Sequence, residues 1–427
     1  MERTIVSIDV GSTKVCTLVA RVEEIHTVDG EAQEKLRIIG VGIEPARGLR
    51  RGVVTDVRAA TESIGNAIAK AEHVSGVPIT EAYVSVGGAH IASENNRGVA
   101  AIGKGDRAVD RDDIDRAMES AQTLFVSHNR RIIHSLPREF MVDGQGNIRN
   151  PVGLMGFRLE VETHIVTGAA GQVKNLRECV RANKVEVLGL VLQPIASAQA
   201  VLRPEEREMG VALVDVGGGT VDIAVYVNDS VWDTKVLGIG GWHVTNDIAI
   251  GLKTALPVAE ECKVRYACAN PEKVSESELI EMATFGGEHL RQVSRRELCE
   301  IAAARVEEII EMIGRYLTQS GNDSLIPAGV VLTGGTAALR DIQQVARGRL
   351  GIPVRVGQPL DVVASDVPGV GKVHGLVEAV GGPAYSASVG LLLWGLGQER
   401  TNRELSFQAH GGSLCGRIKR WLKALLP

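Results

Sequence analysis

The sequence predicts an α/β protein of two facing lobes, and three stretches carry that prediction. At 211–227, VALVDVGGGTVDIAVYV, an apolar run enters Asp215, a turn of Gly217, Gly218, Gly219 and Thr220 follows, and an alternating apolar run leaves. That punctuation reads as a strand, a glycine turn and a returning strand. Three consecutive residues without Cβ let the backbone run close against another group with several N–H donors aimed at it, and a phosphate chain suits such a nest. Asp215, at the mouth of the turn, can hold a hydrated Mg²⁺ that neutralises those phosphates. Alone, the motif also fits a glycine-rich surface hairpin. Residues 4–21, TIVSIDVGSTKVCTLVAR, repeat the design around Asp9 and the turn Gly11, Ser12, Thr13, Lys14, and a helical pattern opens after each hairpin, at 52–56 and 241–247. Two related units in one chain imply two halves facing each other across a nucleotide. The third stretch, GVVLTGGTA at 329–337, is a buried strand running into Gly334 and Gly335 ahead of a helix.

DVGSTK and DVGGGT resemble the two phosphate loops of the actin and heat-shock-chaperone ATPase superfamily, and the turn at 334–336 resembles its adenosine-binding turn. The fold this resemblance implies is two-lobed, a pair of duplicated ribonuclease H-like domains with ATP and Mg²⁺ between them. Asp9 and Asp215 would hold Mg²⁺ through water. Gly11, Ser12, Thr13 and Lys14 would wrap the phosphates with Gly217, Gly218, Gly219 and Thr220, while Gly334, Gly335 and Thr336 would back the adenosine.

Composition agrees with two cored lobes. The chain has 427 residues, 44% hydrophobic and 23% charged, with only 3% aromatics and 49 glycines, so small side chains and close backbone packing dominate. A net charge of −5 gives no global pull toward nucleic acid. The cysteines at 16, 179, 262, 268, 299 and 415 are scattered, without a CxxC pair or a histidine cluster, and read as reduced cytosolic thiols. The chain opens directly into a strand, so no signal peptide is expected. The longest apolar segment, near 385–396, is too short and too glycine-rich to span a bilayer.

Taken in order, a third strand is expected at 35–42 after a charged excursion at 23–34. Only about fifteen residues, 43–57, separate it from a helix at 57–73, which leaves no room for the subdomain that chaperone and bacterial actin relatives insert there. Ala60, Ile64, Ala67, Ile68 and Ala71 recur at helical spacing in that helix. A strand is expected at 83–86. Residues 87–163 are extra material: acidic residues at 110–113 open a helix carrying Ile114, Met118, Ala121 and Leu124, and strands follow at 131–134 and 157–165. A β-α-β-β subdomain is therefore inserted at a displaced position. A subdomain missing at the first site and present at the second resembles the FtsA family of bacterial cell-division proteins, actin-like filament formers that tether the tubulin-like division ring, FtsZ, to the inner membrane. The resemblance covers essentially the whole chain.

QPIASAQAV at 193–201 and GPAYSASVG at 382–390 resemble the two connecting helices of the superfamily, with small residues that permit a close crossing at the hinge. The residue that positions attacking water would be Gln193, an amide that orients water but is a poor general base, so slow hydrolysis is implied. Residues 244–320 are charged and helix-rich. Within them, 259–266 resemble the helix that contacts adenine and ribose. Glu260 and Lys263, at i and i+3, share a face there, and an exposed ion pair explains them equally well. Arg291, Arg295 and Arg296 fall in the subdomain that receives the acidic FtsZ tail in the family. A cationic cluster suits such a peptide, and a plain solvated face is the alternative. DVPGVGKV at 366–373 fails the P-loop pattern, because Asp366 replaces the first glycine and Val373 the magnesium-binding hydroxyl.

The end of the chain differs in kind. Residues 398–412 are polar and aperiodic and read as a linker. In SLCGRIKRWLKALLP, 413–427, the apolar residues Leu414, Ile418, Trp421, Leu422, Leu425 and Leu426 are flanked by Arg417, Lys419, Arg420 and Lys423 without an acid. That pattern describes a short amphipathic helix lying in the interface of an anionic membrane. A tail helix docked on its own domain is the alternative.

The expected organisation is one lobe from 1–86, 164–200 and 360–397, an inserted subdomain at 87–163, and a second lobe at 201–359 with a helical part near 244–320. The linker (398–412) and the membrane helix (413–427) follow. The function implied by the resemblance is an ATP-binding polymer on the cytoplasmic face of the inner membrane at the division site. Its partners would be the FtsZ C-terminal tail, further copies of itself, anionic lipids and later membrane proteins of the divisome. The alternatives are an actin-like pilus-assembly protein and a small-molecule kinase. A kinase needs a carboxylate base, for which the sequence offers no clear candidate.

Overall fold

The computed structural model describes residues 3–26, 32–103, 107–123, 129–285, 290–359 and 373–410. In the first lobe β1 (Thr4–Val10) enters the first turn and β2 (Lys14–His26) leaves it, paired antiparallel from Thr4 opposite Arg21 to Val10 opposite Val15. Strand β3 (Ala32–Pro45) completes the meander. A small ribbon, β4 (Leu49–Arg50) and β5 (Val53–Val54), fills the short connection to helix α1 (Val57–Ser75). The carboxylate of Asp56 caps α1 by accepting from the Ala59 N–H, and the alanine–isoleucine stripe read from the sequence is its buried face. Strand β6 (Glu81–Val86) then joins β1 in parallel.

The inserted material follows as β7 (Ile91–Ala101), α2 (Arg111–Thr123), β8 (Arg130–Val142), β9 (Gln145–Ile148) and β10 (Arg158–Ala169), a separate sheet in the order β7-β10-β8-β9. The turn-rich joint near 143–151 thus carries one more strand than expected, because Asp143 and Gly144 close a hairpin between β8 and β9. The chain returns through α3 (Ala170–Arg181), β11 (Glu186–Leu192), α4 (Gln193–Val201) and α5 (Pro204–Met209).

The second lobe opens with the meander β12 (Val211–Val216), β13 (Val221–Val227) and β14 (Ser230–Leu237). Helices α6 (Gly241–Gly251) and α7 (Leu256–Tyr266), a ribbon of β15 (Leu279–Met282) and β16 (Arg291–Ser294), and the long α8 (Arg295–Gln319) follow. Strand β17 (Val330–Thr333), α9 (Ile342–Leu350) and β18 (Val354–Val356) finish the lobe. Strand β19 (Val373–Gly375) and α10 (Ser386–His410) belong again to the first. The two main sheets run β11-β6-β1-β2-β3-β19 and β14-β13-β12-β17-β18. Each has an antiparallel meander extended beyond its first strand by two parallel strands, and the first sheet alone adds β19 beside β3, so the duplication read from the turns extends to strand order.

Between the sheets lie α4 and α10, and one apolar core runs through them from Leu18 and Leu36 of the first lobe to Leu213 and Val331 of the second. The inserted sheet also touches the second lobe. The Ser93 hydroxyl donates to the Thr234 carbonyl at 2.7 Å, His164 Nε2 lies 2.8 Å from Thr234 Oγ1, and the Arg138 guanidinium stacks 3.5 Å from the Trp232 ring centre. The insertion is therefore wedged against strand β14 as well as covalently joined to the first lobe.

The linker expected at 398–412 is corrected as far as His410, because α10 continues that far. No Gly or Pro occurs from Gln398 to His410, and extending an existing helix requires one hydrogen bond per residue with no new nucleus. Arg400 also anchors the extension, its Nε 2.7 Å from Glu34. The membrane helix expected at 413–427 lies outside the described residues, as does most of the rejected P-loop match.

Helices α4 and α10 cross where Gly390 faces Ala196, and a Cβ on Gly390 would lie 1.8 Å from the Ala196 carbonyl oxygen. Gly390→Ala is therefore expected to overpack the hinge and destabilise the protein by about 1–3 kcal/mol or more. Thermal unfolding should show a clearly lower midpoint; an unchanged midpoint would mean that the helices can separate without cost.

Candidate functional site

Both glycine turns sit at the ends of their lead strands, so Asp9 on β1 and Asp215 on β12 face each other across the crevice beyond the strand ends. Each carboxylate is held by a hydroxyl from a connecting helix. Ser388 on α10 donates to Asp9 at 3.0 Å, and Ser197 on α4 donates to Asp215 at 2.7 Å. Asp9 accepts two further bonds, from Ser85 of β6 at 2.7 Å and from the Gln193 amide at 3.2 Å. Gln193, the first residue of α4, thus stands in the cleft beside the first carboxylate.

A third carboxylate completes the set. Asp222 lies directly across the second hairpin from Asp215, is 2% exposed, and accepts from the Thr220 hydroxyl at 2.6 Å. Its other oxygen is buried without a partner among the described residues. Burial pushes Asp222 up to about 7, against the Thr220 bond, and the Asp215 charge adds to the rise. Asp215 keeps part of its surface open to the cleft, yet its desolvated carboxyl is pushed up to about 6. Lys14 reaches the same space from β2. Its Nζ lies 2.6 Å from the Ala384 carbonyl and 3.4 Å from the Tyr385 ring centre, and burial lowers its pKa against the pull of Asp9.

These groups line a cavity of about 130 Å³ that includes Gly11, Ser12, Thr13, Gly217, Gly218, Thr220, Gly334 and Gly335. The turns close themselves by short bonds, Gly11 N–H to the Lys14 carbonyl at 3.0 Å and Gly217 N–H to the Thr220 carbonyl at 2.9 Å. Among the described residues the N–H groups of Ser12, Thr13, Gly218 and Gly219 donate to no protein acceptor, which leaves them available to an anion. The turns abut: a Cβ on Gly218 would lie 2.3 Å from Thr13 Cγ2, so only glycine permits this approach. Among the described residues no three His, Cys, Asp or Glu side chains converge on one metal position. Acidic oxygens spread around one cavity, one of them unpartnered, fit a cation held through its water shell better than one bound directly.

A larger cavity, about 310 Å³, shares Thr13, Gly218 and Gly335 with the first and is walled by Glu260, Lys263, Thr336 and Leu339. Glu260 and Lys263 do pair, at 2.7 Å, and Lys263 also donates to the Thr245 hydroxyl at 2.9 Å. The pair is not merely solvated, since it forms one wall of this apolar-floored space. The Thr336 hydroxyl donates to the Gly217 carbonyl at 3.1 Å and ties the third turn to the second.

Arg291, Arg295 and Arg296 are not among the residues of these walls; they lie on β16 and the start of α8, and Arg295 Nε donates to the Tyr266 carbonyl at 2.9 Å. Arg295 pairs with Glu278 at 2.7 Å, and Arg296 with Glu276 at 2.7 Å and Glu300 at 3.4 Å. Much of that cluster's charge is already answered within the chain. The tail residues from Leu414 to Leu426 lie outside the described residues. Sequence reasoning missed Asp222, Ser197, Ser388 and Ser85. Asp222 was within reach, because the pairing of Val216 with Val221 around the turn places it opposite Asp215.

The family model described as "Cell division protein FtsA" matches residues 212–390, and the one described as "SHS2 domain inserted in FTSA" matches residues 88–167. The cell division protein FtsA of Pseudomonas aeruginosa is 37% identical over 99% of this chain and 98% of its own length. The FtsA of Escherichia coli K12 is 32% identical over 99% and 98%. Among solved structures, one titled "PilM-PilN type IV pilus biogenesis complex" superposes with a TM-score of 0.63 at 15% identity, over 92% of this chain and 98% of that one. MreB5 of Spiroplasma citri bound to ADP superposes at 0.53 and 12% identity, over 96% and 99%. At such identities the structural likeness speaks for the fold, which is that of the actin-like ATPases.

The raised carboxylates set a pH signature. A proton held more tightly in the folded state than at the ordinary carboxylate value of 3.8 stabilises the fold fully below that value. The contribution is lost as pH rises through about 6 for Asp215 and about 7 for Asp222. Asp222→Asn mimics the neutral form, so in magnesium-free buffer its midpoint gain over wild type should be small at pH 5 and larger at pH 8. Equal differences at both pH values would contradict the assigned burial.

Proposed function

We infer that this chain, which belongs to the FtsA family of cell division proteins, binds Mg-ATP between its lobes and polymerises on the inner face of the cytoplasmic membrane. There it would anchor the division ring. The observation that carries the nucleotide reading is the pair of abutting turns with free N–H donors around one acidic cavity. Gly11 to Lys14 and Gly217 to Thr220 would wrap the phosphates, and Gly334, Gly335 and Thr336 would back the adenosine beside Glu260 and Lys263. Asp9 and Asp215 would hold magnesium through its waters, with Asp222 within the same acidic set. Bound there, the ion would neutralise phosphate charge and polarise the terminal phosphoryl group.

Gln193 would orient water by its amide. The Asp9 bond that it makes fixes that amide beside the cavity. An amide takes no proton, and Asp222 is the group whose raised pKa suits it to hold one near neutrality. Slow hydrolysis fits a switch for assembly better than a metabolic turnover. Asp222 also supplies a buried carboxylate of the kind a kinase would need, and membership of the FtsA family supports the polymer reading over a kinase.

The remaining roles rest on chemistry outside the cleft. The inserted subdomain would meet the next subunit of a head-to-tail filament. The basic face at Arg291, Arg295 and Arg296 would receive the acidic tail of FtsZ; the Arg296–Glu276 pair that it would displace is partly exposed and worth little, whereas Arg295 is largely buried and also holds the Tyr266 carbonyl. The tail at 413–427 would lie in the headgroup region. Burying one large apolar side chain contributes about 1.5–3 kcal/mol, cations on anionic lipid add about 1 kcal/mol each at best, and ordering a helix costs about 1–2 kcal/mol per residue. One tail is therefore weak, and a filament presenting many tails gains by effective concentration.

Cosedimentation of the full chain with anionic vesicles tests this directly. Wild type should bind strongly with Mg-ATP and more weakly without nucleotide, and Trp421→Glu should stay in the supernatant while still forming filaments. Equal vesicle binding with and without nucleotide would remove assembly from the account of membrane attachment.

A further inference from the structure

A third cavity, about 370 Å³, shares Ser12, Thr13 and Gly218 with the acidic cavity but has opposite character. Its walls come from both lobes: the β4–β5 ribbon with Arg50 and Arg51 on one side, and Trp242 and His243 at the start of α6 on the other. No carboxylate lines it, and among the described residues neither Arg50 nor Arg51 has an acidic partner. The first amides of α6 are already taken, Gly241 N–H by the Gly217 carbonyl at 2.9 Å and Trp242 N–H by the Gly218 carbonyl at 2.7 Å. The positive character of this space therefore comes from the two arginines, beside the N–H groups of the turn residues that it shares with the acidic cavity.

The ribbon is held in place with some strain. Arg51 has a left-handed backbone, φ 51°, a strained conformation for a residue with a bulky side chain. The surroundings enforce it. The next N–H, of Gly52, donates to Ser12 Oγ at 2.9 Å, and the Arg51 Cα lies 3.0 Å from where a Cβ on Gly219 would stand. The Arg51 guanidinium consequently reaches across the lobes to within 3.4 Å of His243 Nε2. Guanidinium groups without an acidic partner at the rim of a turn suited to phosphate fit a compact oxyanion, which they can bind in a forked geometry.

We propose that this cavity is a second anion site, an exit pocket that holds the orthophosphate formed when water displaces ADP from the terminal phosphorus. The proposal rests on the nucleotide reading given above. The ion would pass the shared wall of Ser12, Thr13 and Gly218 and be caught between Arg50, Arg51 and His243. A bound anion there touches the ribbon of one lobe and the helix of the other, so its departure would loosen the link between them.

Trp242, 41% exposed and part of the wall, is a built-in reporter. The full-length protein is titrated with inorganic phosphate, with and without Mg-ADP, and read by tryptophan fluorescence and calorimetry. Trp242→Phe serves as the optical blank. Binding of Mg-ADP is measured separately. Saturable phosphate binding is expected with Mg-ADP bound, with the fluorescence change lost in Trp242→Phe. In the double variant Arg50→Ala, Arg51→Asn, phosphate should bind at least about tenfold more weakly while Mg-ADP affinity stays unchanged. Asparagine is chosen because it tolerates the left-handed backbone. Phosphate binding that the double variant leaves intact would place the ion on the glycine turns and overturn the proposal, as would the absence of saturable binding. Failure of Mg-ADP to bind would sink the nucleotide reading instead, and arginine-dependent phosphate binding would then still establish the anion site.

Discussion

Three largely buried carboxylates around one small cavity cannot all carry charge without compensation. Asp9, Asp215 and Asp222 meet there because each lies at the turn end of a hairpin strand, and burial together with the neighbouring carboxylate charges raises Asp215 and Asp222. The surrounding architecture answers this constraint in two ways. Hydroxyls from Ser85, Ser388, Ser197 and Thr220 donate to the carboxylates, and burial leaves Asp215 and Asp222 protonated more readily than ordinary aspartates. A hydrated cation carrying an anionic ligand would complete the compensation. On the nucleotide reading proposed above the site would take such a charged pair, and without one its stability depends on pH.

The same hydroxyls make the cleft a mechanical centre. Helix α4 presents Gln193 to Asp9 of the first lobe and Ser197 to Asp215 of the second, one turn apart on a single rigid element. Helix α10 answers with Ser388 to Asp9 and, through Ser386, a 2.6 Å contact to Thr333 of the second lobe. A change in what the carboxylates hold therefore acts on both connecting helices at once. The insertion is attached to this centre too: buried His134 accepts the Leu192 N–H at 2.9 Å, immediately before Gln193, and packs edge-on against Trp394 of α10. Cleft, hinge and inserted subdomain share one line of contacts.

Much of this was legible in the sequence where the signal was local. A glycine-led turn two residues after an aspartate, DVGSTK at 9–14 and DVGGGT at 215–220, announces both turns and the duplication, since each turn must meet its steric needs within a few residues. The alanine and isoleucine spacing of α1 is similarly self-contained. What escaped was set by pairing or by tertiary context. Asp222 reads as a polar interruption in an apolar strand until the hairpin register puts it opposite Asp215. Ser197 and Ser388 read as small residues for helix crossing, and their hydroxyls acquire a role only when two distant strands end beside them. The polar stretch after Gln398 lacks periodicity, so it suggested a linker, yet a helix already nucleated and packed upstream extends through it to His410.

Hydrogen exchange of the full-length protein with and without Mg-ATP tests the central claim, that one ligand is gripped by turns from both lobes. Simultaneous protection is expected for the amides in 11–14, 217–220 and 334–336, together with the first turn of α4. Protection confined to one lobe, or to none of these turns, would contradict it.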